Sequence, residues 1–228
     1  MKIGSILKTS LIDYPGNVSS VIFFQGCPWR CEYCHNPELV NAEEMGEPLS
    51  VNAVTRELLN HRSHVPAVTL TGGEPTLQTG LIPWMQQLKK AGFKIKLDTN
   101  GHYPQRLSRI LQECPPDYLA MDIKTDRHAY HALVKKRSIR YVTESIDLIA
   151  NSGIEHEFRT TVVEDYHLPS RMLRLFELVP QKSPYYLQGF IPSEKMVGSW
   201  QHYAPTTPKY LEKMKALAID FGLTTRLR

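Results

Sequence analysis

Between Gln25 and Pro37 the chain reads Gln-Gly-Cys-Pro-Trp-Arg-Cys-Glu-Tyr-Cys-His-Asn-Pro, which places Cys27, Cys31 and Cys34 in a C-x3-C-x2-C spacing. Of the four cysteines only Cys114 lies elsewhere. Grouped thiolates are soft ligands that select zinc, copper(I) or iron–sulfur clusters, and closed zinc and electron-transfer sites ordinarily take four protein ligands. Zinc would need a fourth donor here, and His35, directly beside Cys34, is poorly placed for a tetrahedral knuckle. A cubane cluster held by three cysteines leaves one iron open to a substrate or cofactor. Cys114, just before Pro115-Pro116, reads instead as a buried thiol that behaves as a small hydrophobe.

The elements that must position this loop follow from periodicity and turn chemistry. Residues 3–13 have no helical period and end at the turn signal Tyr14-Pro15-Gly16-Asn17, so a hairpin or extended lead-in is expected. Val18 to Phe24 is a β-branched and aromatic run that should deliver the chain into the cysteine loop as a strand. Ser50 is a natural N-cap for a helix with Val54, Leu58 and Leu59 on one side. Strands are expected at 67–71, 93–97, 118–124, 155–163 and 185–191. Helices are expected at 77–91 (closed by Gly92), 104–113, 128–135, 143–151, 169–179 and 207–221. Alternating strands and helices imply βα units and a parallel sheet, and right-handed crossovers would curl about six of them into a barrel segment. A closed (β/α)8 barrel takes ~250 residues, which this chain of 228 does not quite reach. The whole of 1–228 is expected to be one domain, with 1–17 as lead-in and 192–228 as a C-terminal loop and helix.

Several polar residues fall where such a barrel would do chemistry. Gly72-Gly73-Glu74-Pro75 follows a strand, and paired glycines let backbone approach a ligand closely, although they can also make a plain turn. In 118–124 the apolar Leu119, Met121 and Ile123 alternate with Asp122 and Lys124, so both charges should look into the barrel near a strand's C-terminal end. Asp98 closes another strand and can reach the same mouth; a structural Asp–Lys pair is the competing explanation. Arg159 interrupts an otherwise strand-like run and could meet a ligand or only a neighbouring acid. Trp29 and Tyr33 suit packing, and His35 and Asn36 suit a loop held by side-chain to backbone hydrogen bonds.

The cysteine spacing completed by Tyr33, followed by Gly-Gly-Glu-Pro, resembles the radical S-adenosylmethionine (SAM) superfamily. Leu11-Ile12-Asp13-Tyr14-Pro15-Gly16 with Tyr33-Cys34-His35-Asn36-Pro37 further resembles the activating proteins of anaerobic (class III) ribonucleotide reductases and other glycyl-radical enzymes. The likeness runs from about Ile3 to about Val163. It implies an α/β fold with an incomplete (β/α)6 barrel. It also implies one 4Fe–4S cluster on Cys27, Cys31 and Cys34 that donates an electron to SAM and releases a 5′-deoxyadenosyl radical. SAM would meet Tyr33, Gly72, Gly73, Glu74, Asp98, Thr99, Asp122, Lys124 and Arg159, and a monovalent cation would sit near the two aspartates. The implied partners are the reductase catalytic subunit, whose glycine would lose hydrogen, and a flavodoxin-like or other low-potential reductant. Relatives carry a histidine where this chain reads Leu187-Gln188-Gly189-Phe190-Ile191-Pro192; His202 lies too far on to replace it, and Gln188 is a weak substitute. No cysteines fall between the first motif and Gly-Gly-Glu-Pro, which favours the reductase type over activators with an inserted ferredoxin-like domain, without excluding the pyruvate formate-lyase type. Another peptide or small molecule as target, and a non-enzymatic iron–sulfur carrier with a fourth protein ligand, are the other readings.

Composition agrees with a folded globular chain: 42% hydrophobic and 22% charged residues exclude neither a core nor a solvated surface, but they fit disorder poorly. A net charge of +4 can help attract an acidic partner yet is no nucleic-acid footprint, so no nucleic acid is expected. No apolar run approaches a membrane span, and the expectation is a cytoplasmic protein without a membrane partner. In anaerobic reconstitution, Cys27→Ala, Cys31→Ala and Cys34→Ala should each abolish the cluster's visible absorption and bound iron, while Cys114→Ala should retain both.

Overall fold

The computed structural model describes residues 1–228 other than Ala42, Lys195, Val197 and Gly198, with the backbone alone at Ser199. Strand β1 (Ile3–Ser10) and strand β2 (Ser19–Phe24) form the expected antiparallel hairpin. The apolar run of β2 is buried almost throughout, as a strand covered on both faces must be. From β2 onward each strand pairs parallel with the next: β3 (Ala67–Gly72), β4 (Lys94–Thr99), β5 (Tyr118–Asp122), β6 (His156–Val162), β7 (Tyr185–Gly189) and β8 (Thr225–Leu227). Spatial order equals sequence order, with β1 and β8 at the two edges, so the sheet is an incomplete barrel.

Helices α1 (Val51–His61), α2 (Leu81–Lys90), α3 (Pro104–Glu113), α4 (Tyr130–Val134), α5 (Ile139–Ala150), α6 (Pro169–Phe176) and α7 (Pro208–Asp220) connect the strands. The Ser50 hydroxyl accepts from Ala53 N–H at the start of α1, and the Thr207 hydroxyl accepts from Tyr210 N–H at the start of α7. Gly92 takes a positive φ of 83° to end α2.

Several boundaries depart from the sequence reading. The helix expected from Leu77 begins at Leu81, because Pro75–Leu77 forms a separate 3-10 turn. Leu59 is 47% exposed, so only Val54 and Leu58 of the expected trio face the core. The third expected strand extends to Thr99, and the fourth ends at Asp122, leaving Lys124 just beyond it. Strand β8 has no counterpart in the sequence reading. Beside its ladder with β7 it has an electrostatic anchor: both terminal guanidinium nitrogens of Arg228 donate to the fully buried Glu157, at 2.6 and 2.8 Å, and the Tyr118 hydroxyl donates to the same carboxylate at 2.9 Å.

Strand register puts these charges on one face. Lys96 pairs with Tyr118 and Asp98 with Ala120 across β4 and β5. Ala120 pairs with Glu157 and Asp122 with Arg159 across β5 and β6, and Thr161 pairs with Gln188 across β6 and β7. The alternate positions Ile95, Leu97, Leu119, Met121, Phe158 and Val162 are fully buried and belong to the core packed beneath the helices. Period-2 alternation therefore divides each strand into an apolar outer face and a polar barrel interior.

The segment after β6 closes on the end of β5 through His167. Nδ1 of this fully buried ring accepts from Val163 N–H at 3.0 Å, and Nε2–H donates to the Lys124 carbonyl at 3.0 Å. Only a neutral imidazole fits both contacts, and burial pulls its pKa from 6.5 down to about 4. The depressed value means the unfolded chain binds the extra proton first as pH falls. The contribution is whole above about pH 6.5 and is lost on descending to about 4, an effect of about 3 kcal/mol. Urea unfolding across that window should show a slope of about one proton that His167→Gln removes.

Candidate active site

The strand β2 and the turn after β3 are joined before any ligand is considered. Gly73 N–H donates to Phe24 C=O and Glu74 N–H donates to Gly26 C=O, both at 2.8 Å. Gly72 has a φ of 107°, and a Cβ there would lie 2.4 Å from the Phe24 nitrogen; a Cβ at Gly73 would lie 2.2 Å from the Gly26 carbonyl oxygen. Glycine is required at both positions by backbone contact alone. The two motifs legible in sequence are thus one structural unit.

The fully buried Glu74 carboxylate holds a second junction. Its Oε1 accepts from Thr76 N–H at 3.1 Å, from the Thr76 hydroxyl at 2.5 Å and from the Thr99 hydroxyl at 2.8 Å, while Oε2 accepts from Asn100 N–H at 2.8 Å. The Asn100 amide in turn donates to Cys27 Sγ at 3.5 Å. Asn100 was not singled out from the sequence. Its position in Asp98-Thr99-Asn100-Gly101 was the available signal.

These elements enclose a cavity at the C-terminal ends of the strands, with about 860 Å³ of space measured to its open mouth. Cys27, Cys31 and Cys34, Tyr33, Gly72, Gly73, Glu74, Asp98, Thr99, Asp122, Lys124 and Arg159 all line it. Sequence reasoning gave little weight to Gln188 and none to Thr161, yet both line the same wall, the Gln188 amide donating to the Thr161 hydroxyl at 2.7 Å. His202 is exposed on a 3-10 turn and does not line the cavity.

Charge in the cavity floor is arranged around Arg159. Its Nε donates to Asp122 at 2.9 Å, and its terminal nitrogens donate to Asp98 at 3.2 and 3.3 Å. Lys96 adds a close contact with the other Asp98 oxygen, and Lys124 lies 3.4 Å from Asp122. Burial alone would raise the Asp122 carboxyl, but Arg159 and Lys124 outweigh it and hold the pKa down to about 2. With Glu157 at 3.7 Å as well, Arg159 thus has acid partners on three strands, the pairing considered from sequence, and still faces the cavity. Its guanidinium bridges the two aspartates near which the resemblance placed a monovalent cation.

The cysteine loop is held mainly by backbone bonds, including Cys34 N–H to Cys31 C=O and Gly26 N–H to Leu39 C=O. This replaces the expected side-chain bonding by His35 and Asn36. The Asn36 side chain does not cap the turn Pro37–Leu39 that follows it, and both residues face the cavity. Trp29 is a packing residue, as expected: its indole N–H donates to Ser138 Oγ at 2.9 Å and contacts His102 Nδ1 at 3.2 Å. Tyr33 stacks on Trp200 with centroids 5.2 Å apart, and its buried hydroxyl has no partner among the described residues. Met196 and Trp200 are buried too, so the stretch 192–208 packs onto the core and, through Trp200, onto Tyr33, although none of its described residues lines the cavity; Lys195, Val197 and Gly198 fall outside the described residues.

Residues 21–169 match the family described as the radical SAM superfamily. The chain belongs to it. It is 30% identical over 200 residues to a protein named as a glycyl-radical enzyme activating enzyme in Methanocaldococcus jannaschii, covering 84% of this chain and 81% of that one. It is 32% identical over 168 residues to the pyruvate formate-lyase-activating enzyme of Clostridium pasteurianum, covering 71% and 68%. These relatives place it among the radical SAM activating enzymes. The crystal structure of Streptococcus suis SuiB shares the fold, with a TM-score of 0.69 at 13% identity over 91% of this chain; the chain spans half the length of SuiB, 50%.

Radical SAM membership implies a 4Fe–4S cluster and SAM, and the residues fit that pair in kind and place. All three motif thiols are free and share the cavity wall. Among the described residues no three thiol, imidazole or carboxylate groups are drawn together as a metal site. Burial pushes Cys27 up to about 12 and Cys31 up to about 11, and raises Cys34 as well, so each thiol keeps its proton until a binding metal displaces it to solvent. The unpartnered Tyr33 hydroxyl and the glycine-lined turn supply a polar group and close backbone approach. Arg159→Met should destabilise the fold by about 3 kcal/mol, near the lower end for breaking a buried pair because each aspartate keeps a lysine. Denaturant unfolding would measure the loss, and carboxyl NMR should find Asp122 titrating higher.

Proposed function

We propose that this chain activates the catalytic subunit of an anaerobic ribonucleotide reductase by abstracting a hydrogen atom from a backbone glycine. The supporting observation is the convergence of the cysteine loop, the Gly72-Gly73-Glu74 turn and the Asp98–Arg159–Asp122 cluster on one open cavity. Cys27, Cys31 and Cys34 would hold the cluster. Bound together, cluster and SAM supply a reductively generated adenosyl radical. The protein's own residues orient the SAM and keep water from the radical carbon.

Gly72 and Gly73 would offer backbone to the methionine end of SAM. Glu74 has one carboxylate oxygen left with spare capacity, since Oε2 accepts only from Asn100 N–H among the described residues. Asp98, Thr99, Asp122, Lys124 and Arg159 would set the charge around the SAM carboxylate and amino groups, with a monovalent cation entering only if Arg159 shares its aspartates. Tyr33 would sit against the SAM adenine. The open mouth suits a loop of a folded protein, because abstraction needs the glycine carbon in near contact with the radical carbon.

Pyruvate formate-lyase is the competing substrate, favoured by the identity to the Clostridium pasteurianum enzyme. Both candidate substrates, each with deuterated glycine, can be incubated anaerobically with the reconstituted protein, SAM and a strong reductant. Deuterium should enter 5′-deoxyadenosine and a glycyl-radical EPR signal should appear with the reductase. Transfer from the lyase alone would overturn the substrate assignment, and SAM cleavage without transfer from either would overturn glycyl-radical activation.

A further inference from the structure

From Arg127 to Thr143 the chain carries five lysines and arginines and no acid, a local charge larger than the +4 of the whole protein. Lys136, Arg137 and Arg140 are exposed, and no described acid is ion-paired with them. Most charge runs are merely solvated. This one is built onto the back of the cysteine loop. Arg30 N–H donates to Val134 C=O at 3.1 Å, Lys135 pairs with Glu32 at 2.7 Å, and Trp29 bridges from the loop to Ser138 and Tyr130. Lys135 is the one non-glycine described residue with positive φ, 55°, and that bend sends the chain out of α4 into Lys136-Arg137. The exposed Arg30 extends the patch, and its guanidinium donates to the Cys27 and Trp29 carbonyls at 3.0 and 2.8 Å.

No residue from Arg127 to Thr143 lines the cavity. That separation matters, since the mouth must hold SAM and the target chain while the cluster still needs an electron from outside. We propose that Arg30, Lys136, Arg137 and Arg140 form the docking surface for an acidic, low-potential one-electron carrier protein. The carrier delivers its electron through the outer side of the cysteine loop. One electron leaves the carrier and reduces the cluster, and no covalent bond is made or broken. Small, charged, transient interfaces are typical of redox encounters, and exposed rim charges act chiefly on association rate and its salt dependence. The inference rests on the three-cysteine cluster but not on the identity of the glycyl-radical substrate.

The test uses a flavodoxin as probe and the variant Lys136→Glu/Arg137→Glu/Arg140→Glu. With metal-free protein, calorimetry should show flavodoxin affinity falling about tenfold or more and its salt dependence flattening. With cluster-loaded protein, the second-order reduction rate by flavodoxin hydroquinone should fall by a similar factor. Reduction by photoreduced 5-deazariboflavin, small and neutral, should not change. The binding arm needs no cluster, so failure of cluster loading would count against the proposed activity and leave this inference to the isotherm. Lys136→Gln/Arg137→Gln should give an intermediate loss, which guards against misfolding of the triple variant. Unchanged flavodoxin binding in both variants would overturn the proposal. So would an equal fall with both reductants, or patch-dependent binding of RNA or of the glycyl-radical protein with flavodoxin binding intact.

Discussion

A buried guanidinium that bridges two carboxylates organises this barrel. Arg159 on β6 reaches Asp122 on β5 and Asp98 on β4, fixing the register of three neighbouring strands from the inside. A charge in that position would be costly alone, and the acids on either side compensate it through short, directed bonds. Lys96 and Lys124 then share the same acids. The interior is consequently a linked set of ion pairs where a closed barrel would pack layers of apolar side chains. Such a floor is polar enough to receive a charged cofactor and rigid enough to present it at one height.

Around that floor, the site is assembled from turns at the ends of consecutive strands. Backbone bonds weld the cysteine loop to the Gly72–Gly73 turn, and Glu74 ties that turn to the end of β4. His167 ties the end of β5 to the segment after β6. Each junction is local to neighbouring strands, so the geometry of the cavity follows from the sheet order. The exception is Trp200, which reaches Tyr33 from far along the chain.

Much of this was legible because period and motif agree. Alternation in 118–124 placed Asp122 on the interior face, and the β-branched run before Cys27 announced a strand feeding the loop. The same reasoning missed β8, whose three residues are too few to show a period and whose attachment depends on Arg228 meeting Glu157. It placed Leu59 inward because a helical stripe has no sharp edge in sequence, whereas the buried face of α1 carries Val54, Thr55 and Leu58. It gave His35 and Asn36 a bonding role that backbone bonds perform. Asn100 and His167 act through contacts between distant segments, which no local pattern encodes.

The attachment of Glu157 has a consequence for how the chain reaches this structure. Its carboxylate lies fully buried between the Tyr118 hydroxyl and Arg228, a partner 71 residues away. Until α7 and β8 have docked, that acid has only the more distant Arg159, at 3.7 Å, in place of the two short bonds from Arg228, and the β6 end of the barrel cannot dehydrate completely. The N-terminal βα units can form early from near-neighbour contacts, but final consolidation waits on a contact of large sequence separation, which slows folding. On the ribosome, the cysteine loop would therefore emerge and wait beside a barrel still wet inside, exposed to oxidants and to free metals for as long as the rest of the chain takes to arrive.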